Sequence, residues 1–401
     1  MHRFGLRFVA PASSRRSGGT LLTSGIRRAA VFSSRLLIHE RGRLLASVGG
    51  VTFALLLIFL QLGFRNALLN SALELLRQVD ADILVINKEK DPFLKRTPMH
   101  HERLYQALSA DGVATAAPVW IALREWKNIK EDTLHPIRII GFNPDMPTFL
   151  IDAVHENAHK LKRIGTALLD NRSRSSYGEL PAGKAQVNLR EIEIVGTFPL
   201  GTDFEVDGSL LVSEETFFEL TGKSPKWTEI ALLKLFPGTD PGPVLDHLAR
   251  VLPGDVRAFS KAQLIERDLA YWRAGTPISV ILLVGVALGF AVGVVICYQI
   301  LYTEVLDHLA EFATLKAMGY SDRYIEFVVI SESVLLAVLG FIPSMLLGSG
   351  LLALLSWSSG LPAGVTINDA ARVGALSLGM CTLASLMALR KVRSLEPAEL
   401  F

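Results

Sequence analysis

Four long apolar stretches limit what this chain can fold into more than any other feature of its sequence. They are Leu44 to Phe64, Pro277 to Tyr302, Ile325 to Trp357 and Ala371 to Leu389. The hydrocarbon core of a lipid bilayer is about 30 Å thick, and a helix of roughly 20 apolar residues crosses it. Half of all residues are hydrophobic and only 20% are charged. The sequence therefore predicts four transmembrane helices, spanning these four stretches.

The third stretch is longer than one crossing of a bilayer requires. We expect a helix of this length to tilt, to project from the membrane, or to break near Gly340 and Pro343.

The segment before the first stretch, residues 1–43, is basic and contains a single acidic residue, Glu40. Its arginines are Arg3, Arg7, Arg15, Arg16, Arg27, Arg28, Arg35, Arg41 and Arg43. The positive-inside rule places such a tail in the cytoplasm, and four crossings return residues 390–401 to the same side. An organelle transit peptide is an alternative for this arginine- and serine-rich leader, but a basic tail on an anionic leaflet is simpler.

Residues 65–276 would then form one large domain outside the cytoplasm. Apolar alternation and turn residues predict a mixed α/β fold. The candidate strands are 81–87, 136–142, 191–198, 209–213, 229–236 and 256–260, and the candidate helices are 101–109, 214–221 and 243–252. The strand–helix–strand order from 229 to 260 resembles a βαβ unit. Residues 65–82 and 261–277 read as helices that continue the first and second spans outward, so the domain would stand on two helical stalks.

One short motif, "HENAH", could carry metal chemistry. In H-E-x-x-H, His155 and His159 would bind zinc and Glu156 would act as the base of a membrane-anchored protease. No apolar run supports a buried helix there and no third ligand comes after His159, so we expect an exposed loop or helix end, and no metal site.

Several other functions find no support in the sequence. No G-x-x-x-x-G-K-[ST] phosphate-binding loop occurs, so we expect a non-catalytic chain without a cofactor of its own. The net charge of +2 does not suggest nucleic acid as a partner. Cys297 and Cys381 lie in apolar stretches, where cysteine is most often a small buried side chain.

Three glycines in the second stretch, Gly285, Gly289 and Gly293, recur at every fourth position. Two overlapping G-x-x-x-G steps allow another helix to approach closely. We therefore expect these residues to serve helix packing.

The polar connection between the second and third stretches, residues 303–324, has a helical pattern. On a helical wheel, Val305, Leu306, Leu309, Ala310, Ala313 and Ala317 share one face, and Asp307, His308, Glu311 and Thr314 share the other. Leu315 and Met318 interrupt the polar face, and Gly319 supplies a helix stop. The pattern is typical of a helix at the membrane surface or in a partner's groove. An ordinary connecting helix is the alternative.

The stretch "EFATLKAMGYSDRYI" in this connection resembles the signature of FtsX/MacB-type ABC permeases. A larger part of the chain, about residues 35–401, resembles the DevC branch of that family. The stretches that carry this resemblance are "GVTFALLLIFLQLGF" (50–64), "IIGFNPDMPTF" (139–149), "YWRAGTPI" (271–278), "GFAVGVVICYQILYTEVLDHLAEFATLKAMGY" (289–320), "GFIPS" (340–344) and "PAELF" (397–401).

The resemblance implies a bacterial inner-membrane exporter subunit driven by a separate ATPase. Its fold would be a four-helix membrane bundle with a large mixed α/β extracytoplasmic domain between the first and second helices. Its partners would be a DevA-like ATPase, a DevB-like membrane-fusion protein, a TolC-like outer-membrane channel and a second copy of the chain, and its cargo would be lipophilic or of glycolipid type.

By position, the resemblance assigns ATPase coupling to Glu311, Thr314, Leu315, Lys316, Met318 and Gly319. The alternative within the same fold is an FtsX-like regulator of an envelope enzyme, or a lipoprotein-releasing permease. Neither would need an outer-membrane channel.

Overall fold

In the computed structural model of the chain, residues 41–128, 131–178, 183–203 and 205–393 are described. Most of the two predicted tails, residues 1–40 and 394–401, lies outside them. The chain forms two compact units. Of the described residues, the first unit holds 41–59, 287–347 and 367–393, and the second holds 60–286 and 348–366 without the internal gaps.

The helices and strands occur along the chain in this order: α1 (Arg41–Gln78), β1 (Ile83–Asn87), β2 (Met99–His100), α2 (Glu102–Leu108), β3 (Val113–Asn128), β4 (Thr133–Phe142), α3 (Asp152–Leu161), β5 (Thr166–Asp170), β6 (Gly183–Val187), β7 (Arg190–Phe198), β8 (Ser209–Ser213), α4 (Glu214–Thr221), β9 (Trp227–Thr228), β10 (Ile230–Leu235), α5 (Pro241–Val251), β11 (Val256–Ser260), α6 (Lys261–Ala274), α7 (Pro277–Asp307), α8 (Leu309–Ala317), α9 (Asp322–Ser359) and α10 (Ile367–Arg393).

Four of the described helices, α1, α7, α9 and α10, are long and apolar enough to cross a membrane. A large mixed α/β domain lies between the first and second of them. The predicted fold class is therefore confirmed. The predicted spans lie inside these helices, which extend further: α1 continues from Phe64 to Gln78 and α7 from Tyr302 to Asp307.

The third long helix, α9, runs without interruption through Gly340 and Pro343. The break that we considered for this stretch is therefore wrong. Gly340 has a packing role instead, because a Cβ atom at this position would lie 2.5 Å from Cγ1 of Val51 in α1. The hydroxyl of Thr52 in α1 donates to the carbonyl oxygen of Gly340 at 3.3 Å. This hydrogen bond holds α9 at the point where glycine leaves the backbone uncovered by a side chain.

We call the α/β domain between α1 and α7 the outer domain. Its strands form one nine-stranded sheet in the order β11-β1-β10-β3-β4-β8-β5-β7-β6, and β2 pairs with β9 separately. Strand β1 is antiparallel to both β10 and β11. Strands β10 and β11, joined by α5, therefore run parallel with β1 between them. The predicted βαβ-like unit is present, but a strand from earlier in the chain separates its two strands.

Strand β1 shows how the two faces of the sheet are covered. Successive side chains of a strand point to opposite faces. Leu84 and Ile86 belong to a core cluster with Leu73 and Leu76 of α1 and with Leu264 of α6. The alternate β1 positions, Ile83 and Val85, belong to a second cluster that includes residues of α2 and α5. The ends of α1 and α6 are thus built into the core of the domain and are more than linkers to the membrane.

The loop after β1 is held to α6 by a buried carboxylate. Both oxygens of Asp268 accept the backbone N–H of Phe93, at 3.0 and 3.1 Å. Burial raises the pKa of the Asp268 carboxyl to about 6. In the same loop, burial lowers the pKa of the Lys90 ammonium to about 8, although Glu229 lies 3.6 Å from it. These contacts fix the course of residues 90–96.

Candidate functional site

The connection between the second and third apolar helices is a short separate helix. Helix α7 ends at Asp307, α8 occupies Leu309–Ala317, and α9 begins at Asp322. The predicted coupling helix over 303–324 is therefore divided by the structure. A turn at His308 separates α7 from α8, and Gly319, with φ of +89°, comes after α8 in the left-handed region that favours glycine.

Phe312 anchors α8 within the first unit. Its side chain is buried in a cluster with Val305 of α7, Val328 and Val329 of α9, and Leu389 of α10. The backbone N–H of Phe312 donates to the carbonyl oxygen of His308 at 3.0 Å, which carries the helical hydrogen bonding across the turn. One aromatic side chain thus connects the short helix to three of the long helices.

The side of α8 away from Phe312 is exposed. Glu311, Thr314 and Met318 are exposed, and half of the Met318 surface is accessible. The hydroxyl of Thr314 donates to the carbonyl oxygen of Ala310 at 2.8 Å. Nδ1 of His308 lies 3.4 Å from a carboxylate oxygen of Glu311, so a protonated His308 would pair with it.

The predicted coupling residues lie on α8 and directly after it. Leu315 and Lys316 belong to α8, and their side chains lie outside the described part of the structure. Met318 and Gly319 come directly after this helix. The backbone N–H of Met318 donates to the carbonyl oxygen of Thr314 at 3.0 Å, which holds Met318 against the end of the helix.

The apolar face of the helical wheel is only partly the face of α8 that packs within the chain. Of the residues on that face Val305 is buried, but Ala310, Ala313 and Ala317 are exposed, and the buried residue of α8 is Phe312. The size of Phe312, the one aromatic residue in α8, was the signal available in the sequence.

The three predicted packing glycines of α7 all face residues of α1. A Cβ atom at Gly289 would lie 3.1 Å from Cγ1 of Ile58, and one at Gly285 would lie 2.8 Å from Cδ of Gln61. A Cβ atom at Gly293 would lie 3.2 Å from Cβ of Ala54 and 2.0 Å from Sδ of Met380 in α10. A side chain at any of these positions would obstruct the neighbouring helix.

The "HENAH" motif lies inside α3, not in the loop or helix end that we expected. His155, Glu156 and His159 are exposed, while Val154 and Leu161 hold the helix to the domain. Within the described ranges, no group of three or more His, Cys, Asp or Glu side chains is placed to hold a metal ion.

Comparison with known proteins places the helices around α8 in a family. Residues 278–397 match the FtsX-like permease C-terminal family. The chain is 23% identical over 357 residues to an uncharacterized ABC transporter permease of Mycobacterium tuberculosis, in strain CDC 1551 / Oshkosh and in strain ATCC 25618 / H37Rv. The similarity covers 88% of this chain and 93% of each relative. Residues 278–397 are thus similar to the C-terminal domain of FtsX-like permeases.

Two solved structures are similar to part of this chain. The periplasmic region of MacB from Actinobacillus actinomycetemcomitans has a TM-score of 0.35 and 8% identity, and the similarity covers 47% of this chain and 94% of that one. The extracellular domain of YknZ, a noncanonic ABC-type transporter from Gram-positive bacteria, has a TM-score of 0.33 and 12% identity, with coverage of 45% and 99%.

Proposed function

We propose that this chain is an FtsX-type ABC transporter permease, the membrane subunit of an ATP-driven exporter, and that residues 311–319 dock a separate ATPase on the cytoplasmic side. The observation that carries the proposal is the arrangement of α8. Phe312 holds the helix to three long helices, and Glu311, Thr314 and Met318 remain exposed. A short, firmly anchored helix with an exposed mixed surface is suited to receive force from a partner.

The composition of this surface favours a protein partner over lipid. A helix that lies in a membrane interface buries a continuous apolar face among the lipids. Here the exposed surface is mixed: it contains the charged Glu311 and the polar Thr314 as well as three alanines and Met318. Isolated apolar side chains within a polar rim are what a protein groove binds.

The energy for transport would come from the partner, because the sequence contains no phosphate-binding loop motif. On this proposal the permease itself is non-catalytic. Nucleotide binding to the ATPase would shift α8, and the shift would pass into α7, which is one continuous helix from Pro277 to Asp307.

The remaining parts of the proposal rest on the resemblance to DevC-like permeases. They are location in a bacterial inner membrane with both termini in the cytoplasm, assembly as a homodimer, and export of a lipophilic or glycolipid-type cargo. A membrane-fusion protein and an outer-membrane channel would complete the pathway. Crosslinking of the outer domain to a fusion protein would separate this exporter from a regulator of an envelope enzyme.

The docking assignment is tested by Met318→Glu and Leu315→Glu in the full chain, purified with an affinity tag from its native membranes. We expect the wild-type protein to retain an ATPase that mass spectrometry identifies by its phosphate-binding loop. Both variants should lose it while still inserting in the membrane, because a buried charge in a docking groove is costly.

Ile164→Glu is the matched control, since Ile164 is 60% exposed and lies in the outer domain. It should retain the ATPase. Unchanged recovery of the ATPase with both Met318→Glu and Leu315→Glu would show that the partner docks elsewhere.

A further inference from the structure

A cavity of about 460 Å³ opens in the outer domain between the ends of α1 and α6. Its lining among the described residues consists of Ala72, Pro92, Leu94, Lys95, Arg96, Asp203, Glu205 and Trp272. Cavities of roughly 300–1,000 Å³ are the usual size of small-molecule sites. None of these residues belongs to the proposed docking segment, residues 311–319.

One part of the lining is apolar. Ala72 of α1 and Leu94 are buried, and Trp272 of α6 is half-buried beside Pro92. The indole ring supplies a large, rigid apolar surface. This part of the cavity suits a hydrocarbon chain.

The other part of the lining is charged and consists of two cations, Lys95 and Arg96, and two carboxylates, Asp203 and Glu205. Arg96 pairs with Glu205, and the buried Arg138 pairs with both Asp203 and Glu205. These two guanidinium groups therefore balance the two carboxylates. Lys95 is exposed, and no carboxylate within the described ranges pairs with it. An anion entering the cavity would meet Lys95 without having to displace another acid.

If the apolar stretches mark the membrane, the cavity lies close to one of its surfaces. Ala72 lies eight residues beyond Phe64, the end of the first apolar stretch, which is about 12 Å along a helix. Trp272 lies five residues before Pro277, where the second apolar stretch begins. A molecule that partitions into the bilayer would therefore be concentrated beside this cavity.

We propose that this cavity binds an anionic amphiphile from the membrane. Its hydrocarbon chain packs against Trp272 and Leu94, and its carboxylate or phosphate head group binds Lys95, with Arg96 beside it. A neutral amphiphile would provide no counter-charge for the ammonium of Lys95. That ammonium would keep only its present partner, the carbonyl oxygen of Glu89, 3.0 Å away. An inorganic anion would not use the apolar surface. The site does not depend on the docking of an ATPase, so either proposal can fail without the other.

The test uses the full chain, purified in a neutral detergent, and a terminally brominated long-chain carboxylate, since bromine quenches indole fluorescence on contact. We expect saturable quenching that is lost in Trp272→Phe. Lys95→Gln should weaken binding by about tenfold, because a hydrogen bond to a charged group is removed. Lys226→Gln, which changes an exposed lysine outside the cavity, is the matched control and should bind as the wild type does.

Competition identifies the chemistry of the ligand. Dodecyl phosphate should displace the brominated carboxylate, while inorganic phosphate and the corresponding brominated alcohol should not. Displacement by inorganic phosphate alone would show a free-anion site, and equal binding of the alcohol would show a purely apolar one. Either result, or unchanged binding in Lys95→Gln, would overturn the proposal.

Discussion

The hydroxyl of Thr202 donates a hydrogen bond to the backbone carbonyl oxygen of Ser359, with the two oxygens 3.0 Å apart. Thr202 lies in the loop after β7, and Ser359 is the last residue of α9. The next residue, Gly360, passes so close that a Cβ atom there would lie 2.6 Å from the carbonyl oxygen of Arg172. The outer domain therefore contacts the loop between the third and fourth apolar helices, α9 and α10.

This contact rests on a buried carboxylate. Asp170, at the end of β5, accepts the backbone N–H groups of Leu200 and Gly201 at 3.1 and 2.7 Å. It thereby fixes the loop that carries Thr202. Thus, besides its two flanking helices, the outer domain has a third connection to the apolar helices.

Replacing Thr202 with valine should loosen this connection. Valine keeps the shape of threonine but removes the donor, and a typical hydrogen bond contributes about 1 kcal/mol. We expect amide hydrogen exchange at Gly360 and Leu361 to rise roughly fivefold. The matched control is Thr115→Val, at an exposed position of β3. Equal exchange in the wild type and in Thr202→Val would mean that the hydroxyl contributes nothing to the order of the loop.

A second prediction concerns Gly293 in α7. A methyl group there would meet Sδ of Met380 at 2.0 Å, whereas one at Gly379 of α10 would meet nothing within 4 Å. Overpacking of this kind typically costs about 1–3 kcal/mol, so Gly293→Ala should lower the melting temperature of the purified protein by about 2–4 °C or more. Gly379→Ala is the control and should leave it unchanged or slightly higher. A Gly293→Ala protein as stable as the control would contradict this packing of α7 on α10.

The thiols of Cys297 and Cys381 provide a test of how α7 packs on α10. Their sulfur atoms lie 3.6 Å apart, and both side chains are buried. Copper phenanthroline, a thiol oxidant that enters membranes, should therefore convert them to an intramolecular disulfide, with the two protons and two electrons passing to the oxidant. The product is detected as protection of both cysteines from alkylation. Cys297→Ser should abolish that protection at Cys381, and alkylation of both thiols after oxidation of the wild type would place the helices apart.

A fourth prediction concerns the dependence of stability on pH through Asp268. Burial raises the pKa of this carboxyl from 3.8 to about 6, with Asp91, Arg267 and Lys90 as its charged neighbours. Between these two values the native state holds a proton that the unfolded state has lost. The free energy of unfolding should therefore fall as the pH rises from 4 to 6, by about 3 kcal/mol from this residue.

The variant Asp268→Asn isolates this contribution. It should be more stable than the wild type above pH 6 and lose that advantage toward pH 4, as measured by guanidinium unfolding of the full chain at each pH. Asp246→Asn, at an exposed position of α5, should match the wild type throughout. Parallel stability curves for Asp268→Asn and the wild type would show that the carboxyl is not shifted.

The sequence was sufficient to predict the long helices and most of the outer strands, because both have strong periodic patterns. Strands 209–213 and 256–260 are present with the predicted bounds, and the strand predicted at 81–87 begins two residues later, at Ile83. The order of the strands was not accessible, since the insertion of β1 between β10 and β11 depends on contacts between residues far apart in sequence. Strand β3, the longest strand, was missed entirely; its small alanines and its proline gave no alternating signal.

For the candidate site, the sequence predicted the segment on which the docking proposal rests, but it did not predict the residue that anchors this segment. Glu311, Thr314 and Met318 were predicted from position and are exposed, but the turn at His308 and the burial of Phe312 depend on α9 and α10. The cavity next to Trp272 also could not be predicted from the sequence. Its lining comes from four separated parts of the chain, none of which has a motif.

The burial of α1 in the sheet domain has a practical consequence for protein production. Leu73 and Leu76 are fully buried in the same cluster as Leu84 and Ile86. A soluble fragment cut to begin at the first strand would uncover that apolar face and aggregate. Fragments intended for crystallisation or binding assays should therefore start near Arg65 and end after Ala274, so that both flanking helices remain attached.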